Sequence, residues 1–389
     1  AAAARAEGRK RALVVFATGL GKTWLAAFDF AALAAELGRL PRLLFLAHRR
    51  ELLTKAASVF RTLTNALGHP DAAISFAVAG QHNLAGDMVF GSVQTLFQPA
   101  NLAALRGQRF DLVVVDEAHH AEAKSYRALL NAVDAGFVLG LTATPDRADR
   151  ADIEGLFDDF VAAKADIGRG IEVGRLVPIA YHGLRDPVDY APIPWRNGKF
   201  DAEALDRAVA THERMDKIWS AWQEHPAART LVFCCSIKHA DFVAAYLTDR
   251  GVACRSLHSG SSTGTSRDFV DEALDALTAG DLQALVTVDL LNEGIDVPNV
   301  DRVVFLRPSD SPVVFLQQLG RGLRSADGKS ALTVLDLVGN HAVFLRRLQA
   351  LLDALPHADT HGPSSIDDVR GCLEAARDAG GGVTMPAHC

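Results

Sequence analysis

Two carboxylates follow a short apolar run in the octet VVVDEAHH, at residues 113–120. The three valines predict a buried strand, so Asp116 and Glu117 would lie at its carboxyl end, where α/β sheets bind their ligands. Asp116 is suited to Mg²⁺, a hard cation that prefers carboxylate oxygens and water. Glu117 is suited to orient an attacking water molecule. Taken alone, the octet is also compatible with a strand that ends in a polar turn.

A second candidate site lies upstream, where residues 13–23 read LVVFATGLGKT. The pattern predicts a strand, a glycine-containing turn and the start of a helix, an arrangement that surrounds phosphate oxygens with backbone N–H groups. The residues of this turn that could bind phosphate are Thr18, Gly19, Gly21, Lys22 and Thr23. Lys22 would reach the β- and γ-phosphates, and the hydroxyl of Thr23 would bind Mg²⁺. The strict phosphate-loop pattern has glycine where this chain has Phe16.

Two arginines in the second half of the chain could complete a phosphoryl-transfer site. In QQLGRGLR, residues 317–324, Arg321 and Arg324 are three positions apart, so a helix would place them on one face. Such an arginine would supply the second cation that the upstream residues lack for the developing phosphoryl charge. Gln317 would help to hold a nucleotide, and the neighbouring glycines suggest a close backbone approach. An ordinary surface helix with two arginines is the alternative.

The segment VTVDLLNEGIDVP, residues 286–298, precedes these arginines and reads as a strand that runs into a loop. Gly294 and Asp296 are expected to face the same cleft as the arginines. Asp296 either contacts a ribose hydroxyl or is an acid in a simple turn.

Apolar segments that alternate with helical patterns must position all of these residues. Strands are predicted at residues 42–47, 88–92, 112–115, 138–141, 230–235, 253–258, 284–288, 302–306 and 332–337, and helices at about 22–37, 51–67 and 237–250. This alternation predicts two tandem α/β domains, each with a mostly parallel sheet flanked by helices. We place the domains at 1–175 and 176–355, with a proline-rich loop at 186–200. Residues 356–389 are expected to be a poorly structured tail or the remnant of a further domain.

Composition narrows the class of protein. The 389 residues suffice for two domains, and a net charge of −7 argues against a uniformly basic surface while allowing a local basic groove. Five cysteines without metal or disulfide spacing are typical of a reducing cytosol, so we expect a cytoplasmic protein. No apolar run is long enough to predict a membrane span or a signal peptide. The opening AAAARAEGRK looks like the middle of a helix, which suggests a fragment.

These motifs resemble, in content and order, the two RecA-like domains of a superfamily 2 helicase or translocase, over about residues 12–340. The matching segments are ATGLGKT (17–23), FLAHRREL (45–52), GSVQTL (91–96), DEAHH (116–120), LTATPDR (141–147), LVFCCSIKHA (231–240), VTVDLLNEGIDVP (286–298) and QQLGRGLR (317–324). They are most similar to bacterial DEAD/DEAH-box proteins akin to restriction-enzyme translocases and XPB-type helicases. The family's usual adenine-reading element does not appear among the residues before the first strand.

The resemblance implies an enzyme that hydrolyses ATP with Mg²⁺ between the two domains while it moves along nucleic acid, with DNA favoured over RNA. Lys22, Thr23 and Asp116 would then hold the nucleotide and metal, Glu117 would activate water, and Arg321 and Arg324 would be arginine fingers. Residues coupling nucleotide state to movement would be His119, Thr142 and Thr144. Contacts to the nucleic-acid backbone would come from Arg49, Gln94, Thr95, Ser259 and Thr287. An accessory domain or partner subunit is expected outside this chain.

Some of these assignments have alternatives. Arg49 and Arg50 could instead belong to the solvent-facing start of a helix, with no contact to nucleic acid. A nucleic-acid-binding or signalling module with a vestigial ATP site would share the fold. A P-loop kinase acting on a small molecule would not need a second α/β domain with its own arginines.

Overall fold

The chain forms two compact units, Ala1–Asp166 and Ile167–Cys389, so the division falls slightly before the predicted boundary. The computed structural model describes residues 1–118, 123–143, 150–258, 267–288, 300–308, 311–355 and 383–384. Within those ranges, no helix combines the length and apolar character needed to cross a bilayer.

The first unit is built on an eight-stranded sheet. Its strands are β1 (Arg11–Phe16), β2 (Leu43–Ala47), β3 (Ile74–Val78), β4 (Gln81–His82), β5 (Met88–Ser92), β6 (Arg109–Val115), β7 (Asp134–Thr142) and β8 (Val161–Ala165). Its helices are α1 (Ala2–Ala6), α2 (Lys22–Leu37), α3 (Arg50–Ala66), α4 (Val93–Leu96), α5 (Pro99–Leu105), α6 (Ala123–Ala132) and α7 (Arg150–Leu156). The order is β4-β3-β5-β2-β6-β7-β1-β8; β4 pairs antiparallel with β3, and the other described pairs are parallel.

Helices cover both faces of this sheet. On one face, α2 and α3 pack an aromatic group of Phe30, Phe45, Phe60 and Phe90 whose ring centroids lie 5.4–5.9 Å apart. On the other face, α6 and α7 cover the alternate side chains of β6 and β7. Strands buried on both faces explain the continuous apolar runs that made β2 and β6 recognisable from sequence.

The strand order brings the predicted site residues together. The carboxyl ends of β6, β7 and β1 are neighbours, because Val115 pairs with Gly140 and Val15 pairs with Thr142 in parallel register. The turn that follows β1 and the carboxylates that follow β6 therefore lie at one edge of the sheet, with only β7 between them.

The second unit contains a seven-stranded sheet whose described pairs are all parallel. Its strands, with a separate hairpin of β10 and β11, are β9 (Ile179–Arg185), β10 (Trp195–Arg196), β11 (Lys199–Phe200), β12 (Thr230–Phe233), β13 (Cys254–Leu257), β14 (Ala284–Thr287), β15 (Arg302–Phe305), β16 (Leu332–Val338) and β17 (Val383–Thr384). Its helices are α8 (Ile167–Glu172), α9 (Ala202–Val209), α10 (His212–Glu224), α11 (Ile237–Thr248), α12 (Arg267–Ala279), α13 (Pro312–Gly322) and α14 (Ala342–Asp353). The strand order is β13-β14-β12-β15-β16-β9-β17. The predicted fold class of two tandem, mostly parallel α/β units is confirmed.

Two segments of the second unit are more ordered than we predicted. The proline-rich loop contains the β10–β11 hairpin, in which Asn197 (φ 52°) and Gly198 (φ 77°) supply the two positive φ angles of a tight hairpin turn. Two-residue strands leave no alternating pattern, so composition alone indicated a loop. In the predicted tail, β17 pairs with β9. The other residues of the tail lie outside the described part of the chain.

A buried ion pair anchors the segment that precedes the hairpin. Arg214 on α10 donates from Nε to Asp186 at 3.0 Å and from Nη2 to the carbonyl of Leu306 at 2.7 Å. The hydroxyl of Tyr190 donates to the same carboxylate at 2.7 Å. Both charges are fully buried and hydrogen-bonded, as a buried pair must be if it is not to destabilise the fold.

His239 beside this pair makes the second unit sensitive to acid. Arg214 Nη1 lies 3.5 Å from its Nε2, and the backbone N–H of Cys235 donates to its Nδ1 at 3.4 Å. Burial and the charge of Arg214 lower the pKa of His239 from 6.5 to about 3. A depressed folded pKa means that the unfolded chain binds the proton more readily, so stability present above pH 6.5 is lost as the pH falls toward 3.

We therefore expect the second unit to lose about 2 kcal/mol of unfolding free energy through His239 between about pH 7.5 and about pH 5. Urea unfolding followed by tryptophan fluorescence would measure this loss, since Trp195, Trp219 and Trp222 all lie in that unit. His239→Gln should flatten the pH dependence, whereas His212→Gln, at an exposed position, should not. If the unfolding free energy of both variants changed equally with pH, His239 would not be the group responsible.

Candidate functional site

The turn between β1 and α2 has the conformation that a phosphate loop requires. Gly19 (φ 95°) and Gly21 (φ 79°) both adopt the left-handed region, where other residues are strained. Lys22 Nζ donates to the carbonyl of Phe16 at 3.3 Å. The Phe16 position that departs from the strict glycine pattern therefore contributes its backbone oxygen to the lysine.

The start of α2 is suited to an anion. The helix begins at Lys22 with Gly21 as its N-cap, so no side chain caps the first N–H groups, and no acidic residue lies in the first turn. Uncapped N–H groups at a helix N-terminus attract negative charge. Asp29, further along the helix, is held by Arg5 at 2.6 Å. Thr18 and Thr23 are half-buried on either side of this turn.

The two carboxylates at the end of β6 have different environments. Asp116 is buried, and its Oδ1 accepts a hydrogen bond from the backbone N–H of Glu117 at 3.0 Å. Glu117 has a φ of 48°, a left-handed conformation that is rare for a residue with a side chain and typical of functional sites. Its Oε1 lies 3.5 Å from Lys22 Nζ, and both side chains are mostly covered, at 13% and 10% exposure. The structure thus places the predicted base directly against the predicted phosphate-binding lysine.

Tyr126 is a residue near the carboxylates that sequence reasoning missed. It lies on α6 with 2% exposure, and its hydroxyl has no hydrogen-bond partner within the described residues. Burial, followed by the charges of Asp116 and Glu117, raises the pKa of this hydroxyl, which stays protonated. No motif marks the position, because a tyrosine on an amphipathic helix reads as core.

The coupling residues are only partly described. Thr142 is fully buried at the end of β7, between the two halves of the site. The predicted residues that lie outside the described part of the chain are His119, Thr144, Ser259, Gly294 and Asp296.

The predicted nucleic-acid contacts of the first unit lie at the carboxyl ends of β2 and β5. Arg49 is the N-cap of α3 and is half-buried, whereas Gln94 on α4 is exposed. The hydroxyl of Ser92 donates to Oγ1 of Thr95 at 2.7 Å. Because β2 and β5 are paired neighbours, these side chains share one edge. In the second unit, Thr287 is fully buried at the end of β14, so its hydroxyl does not reach the surface.

The two arginines do not share a helical face as the spacing predicted. Helix α13 ends at Gly322, so Arg321 lies in its last turn and Arg324 lies beyond it, where its backbone forms a bridge with Leu176. A Cβ on Gly322 would lie 2.5 Å from the side chain of Leu332, so the close backbone approach suggested by the glycines is to β16. Burial lowers the pKa of Arg324.

Gln317, predicted to hold nucleotide, is buried on the same helix, at 2% exposure. Arg321 and Arg324, near the end of α13, are both half-buried and so remain partly accessible.

Two protein families match this chain, one in each of its two units. Residues 1–147 match the family described as the type III restriction enzyme, res subunit, and residues 211–326 match the helicase conserved C-terminal domain. A Saccharomyces cerevisiae protein named as an ATP-dependent helicase, IRC3, is 25% identical over 386 residues, 94% of this chain and 53% of IRC3. An Escherichia coli type I restriction enzyme EcoAI endonuclease subunit is 26% identical over 363 residues, 85% of this chain and 44% of that subunit. The chain spans about half the length of these curated relatives.

A solved structure shares the architecture. A fragment described as an HsdR subunit of a type I restriction enzyme from Vibrio vulnificus YJ016 has a TM-score of 0.63 and 25% sequence identity. The match covers 86% of this chain and 61% of that fragment.

Proposed function

We propose that this chain, which belongs to the superfamily 2 helicases and translocases, hydrolyses ATP and uses the energy to move along nucleic acid. The observation that carries the proposal is the 3.5 Å contact between Lys22 of the phosphate loop and Glu117 at the end of β6. ATP hydrolysis needs a cation at the phosphates and a residue that orients the attacking water, and these two residues can supply both.

The residues of the first unit suggest an order of events. An arriving triphosphate offers Lys22 a higher negative charge than Glu117 does, so the lysine moves to the β- and γ-phosphates. Glu117, whose carboxylate already lies at the loop, is then released to orient the attacking water. Arg321 in the second unit, with Arg324, would neutralise the charge that develops on the transferred phosphoryl group.

Mg²⁺ fits the side chains present. This ion usually keeps several waters and takes only one or two carboxylates together with the substrate phosphates. Thr23 and Asp116 would hold the ion, and its charge would screen the phosphate oxygens.

Nucleic acid would lie along the edge formed by Arg49, Gln94 and Thr95, with contacts to phosphate that give salt dependence and little sequence preference. DNA rather than RNA is the substrate in this proposal, and the restriction-enzyme relatives, which are named as subunits, support a partner subunit or accessory domain. A cytoplasmic location is part of the proposal, on the sequence observation of five cysteines without metal or disulfide spacing.

The function is tested by ATPase titrations with single-stranded DNA, duplex DNA and RNA, each at two salt concentrations. We expect DNA to stimulate turnover, with weaker apparent affinity at the higher salt concentration. Turnover that no polymer stimulates would favour the alternative of a binding or signalling module with a vestigial site.

Glu117→Gln is expected to bind ATP as tightly as the wild type, or more tightly, while turnover falls about a hundredfold. The amide keeps the shape of the side chain and removes both the base and the negative charge beside Lys22. Equilibrium binding of ATP and single-turnover hydrolysis separate the two effects. Glu7→Gln, an exposed acid of the same unit, is the matched control and should change neither quantity. Hydrolysis at the wild-type rate in Glu117→Gln would show that the base is another group.

A further inference from the structure

Two aromatic side chains stand exposed on the helix that follows the phosphate loop. Trp24 is 41% exposed and Phe28 is 61% exposed, one turn apart on α2. Their ring centroids lie 5.7 Å apart with an interplanar angle of 32°. The other aromatic residues of this helix and its neighbours, such as Phe30 and Phe60, are fully buried. Neither side chain of the exposed pair belongs to the buried core, and part of each ring is accessible to a ligand.

The position of Trp24 relates it to the nucleotide. It follows Thr23 directly and lies in the first turn of α2. In a phosphate loop the lysine reaches the β- and γ-phosphates while backbone N–H groups hold the α- and β-phosphates. The nucleoside therefore leaves the loop on the side away from the contact between Lys22 and Glu117.

The sheet separates this pair from the predicted nucleic-acid edge. β1, which leads into α2, is three strand positions from β2 and four from β5. With strands spaced by roughly 4.8 Å, the start of α2 is about 14 Å from the ends of β2 that carry Arg49. A base of the nucleic acid held at that edge is a poorer occupant for the aromatic pair than the base of the bound nucleotide.

We infer that Trp24, supported by Phe28, is the platform on which the purine ring of ATP stacks. The inference rests on the proposed function, because it takes the phosphates to lie at Lys22 and Thr23. Stacking on an indole needs an accessible ring face and a neighbouring anchor for the rest of the ligand, and both are present here. The residues of the phosphate-loop motif would contact phosphates only. Trp24 would therefore be the residue that lets the protein bind a nucleotide more tightly than a bare triphosphate.

The test compares MgATP with magnesium tripolyphosphate as ligands of the full chain without nucleic acid. In the wild type, ATP should bind about tenfold more tightly than tripolyphosphate, the size of effect that stacking one base on an aromatic ring provides. Trp24→Ala should lose that preference and leave tripolyphosphate affinity unchanged, and Trp24→Phe should retain most of it. Phe97→Ala is the matched control, because Phe97 is also 41% exposed in the same unit, and it should leave both affinities unchanged.

Tryptophan fluorescence gives a second readout, since ATP and not tripolyphosphate should quench the wild type and this quenching should be absent in Trp24→Phe. Wild-type ATP affinity in Trp24→Ala would overturn the inference. So would equal weakening of both ligands, which would mean that the aromatic pair only supports the loop or packs against another protein segment. Failure of the proposed function would look different, since the wild type would then bind neither ligand and Lys22→Ala would have no effect.

Discussion

Replacing Lys22 with alanine is expected to reduce ATP turnover by about a thousandfold or more. The side chain is mostly covered, its ammonium group contacts both the Phe16 carbonyl and the Glu117 carboxylate, and Lys22 is the first residue of α2, whose start has no side-chain cap. Its removal takes away the ammonium group that would contact the β- and γ-phosphates, and it also removes the positive charge that lies 3.5 Å from the Glu117 carboxylate. We therefore expect ATP binding to weaken and hydrolysis to be nearly lost.

Steady-state ATPase assays with saturating nucleic acid, together with equilibrium binding of ATP, measure both effects. Lys10→Ala is a suitable control, because Lys10 is an exposed lysine of the same unit just before β1. Its activity should match that of the wild type. If Lys22→Ala retained a tenth or more of wild-type turnover, the phosphate loop would not be the catalytic nucleotide site.

Replacing Arg321 with alanine is expected to lower turnover by about a thousandfold while ATP binding to the first unit is largely kept. An arginine finger acts on the charge that develops in the transition state, so its loss reduces kcat far more than it raises KM. Arg321→Lys should restore little, since an ammonium lacks the planar fork that holds phosphoryl oxygens. Arg324→Ala should have the smaller effect, because Arg324 lies beyond the end of α13 and burial already disfavours its charge.

Single-turnover hydrolysis with bound ATP would separate the chemical step from binding. Arg346→Ala, an exposed arginine on α14, provides the control within the same unit. A variant Arg321→Ala with normal single-turnover rates would exclude the residue from the reaction. If Arg324→Ala lost most of its hydrolysis rate and Arg321→Ala lost none, Arg324 and not Arg321 would be the arginine finger.

Local patterns were sufficient for many elements of the fold. Helix α2 and strand β5 have the bounds that the sequence predicted, and α3 differs by one residue at each end. In each case a segment rich in apolar residues is followed by a glycine or ends at a polar residue, Gly38 after α2, Gly68 after α3 and Ser92 in β5. Strand β9 was missed because His182 and Gly183 interrupt its apolar pattern, and its neighbours in the sheet come from far along the chain.

The sequence by itself determined which chemical groups this protein has and the order in which they occur, because strand, turn and helix around residues 13–37 depend on neighbours along the chain. The order of the motifs along the sequence also pointed to the superfamily 2 helicases and translocases. The tertiary structure decided the distances. Lys22 and Glu117 are far apart in sequence and meet at 3.5 Å because β6 and β1 end at the same edge of the sheet with only β7 between them, a strand order that depends on non-local pairing. The end of α13 is likewise visible only in the tertiary structure: the helix ends at Gly322, whose backbone packs against Leu332, so Arg324 lies beyond it and the two arginines do not share a helical face.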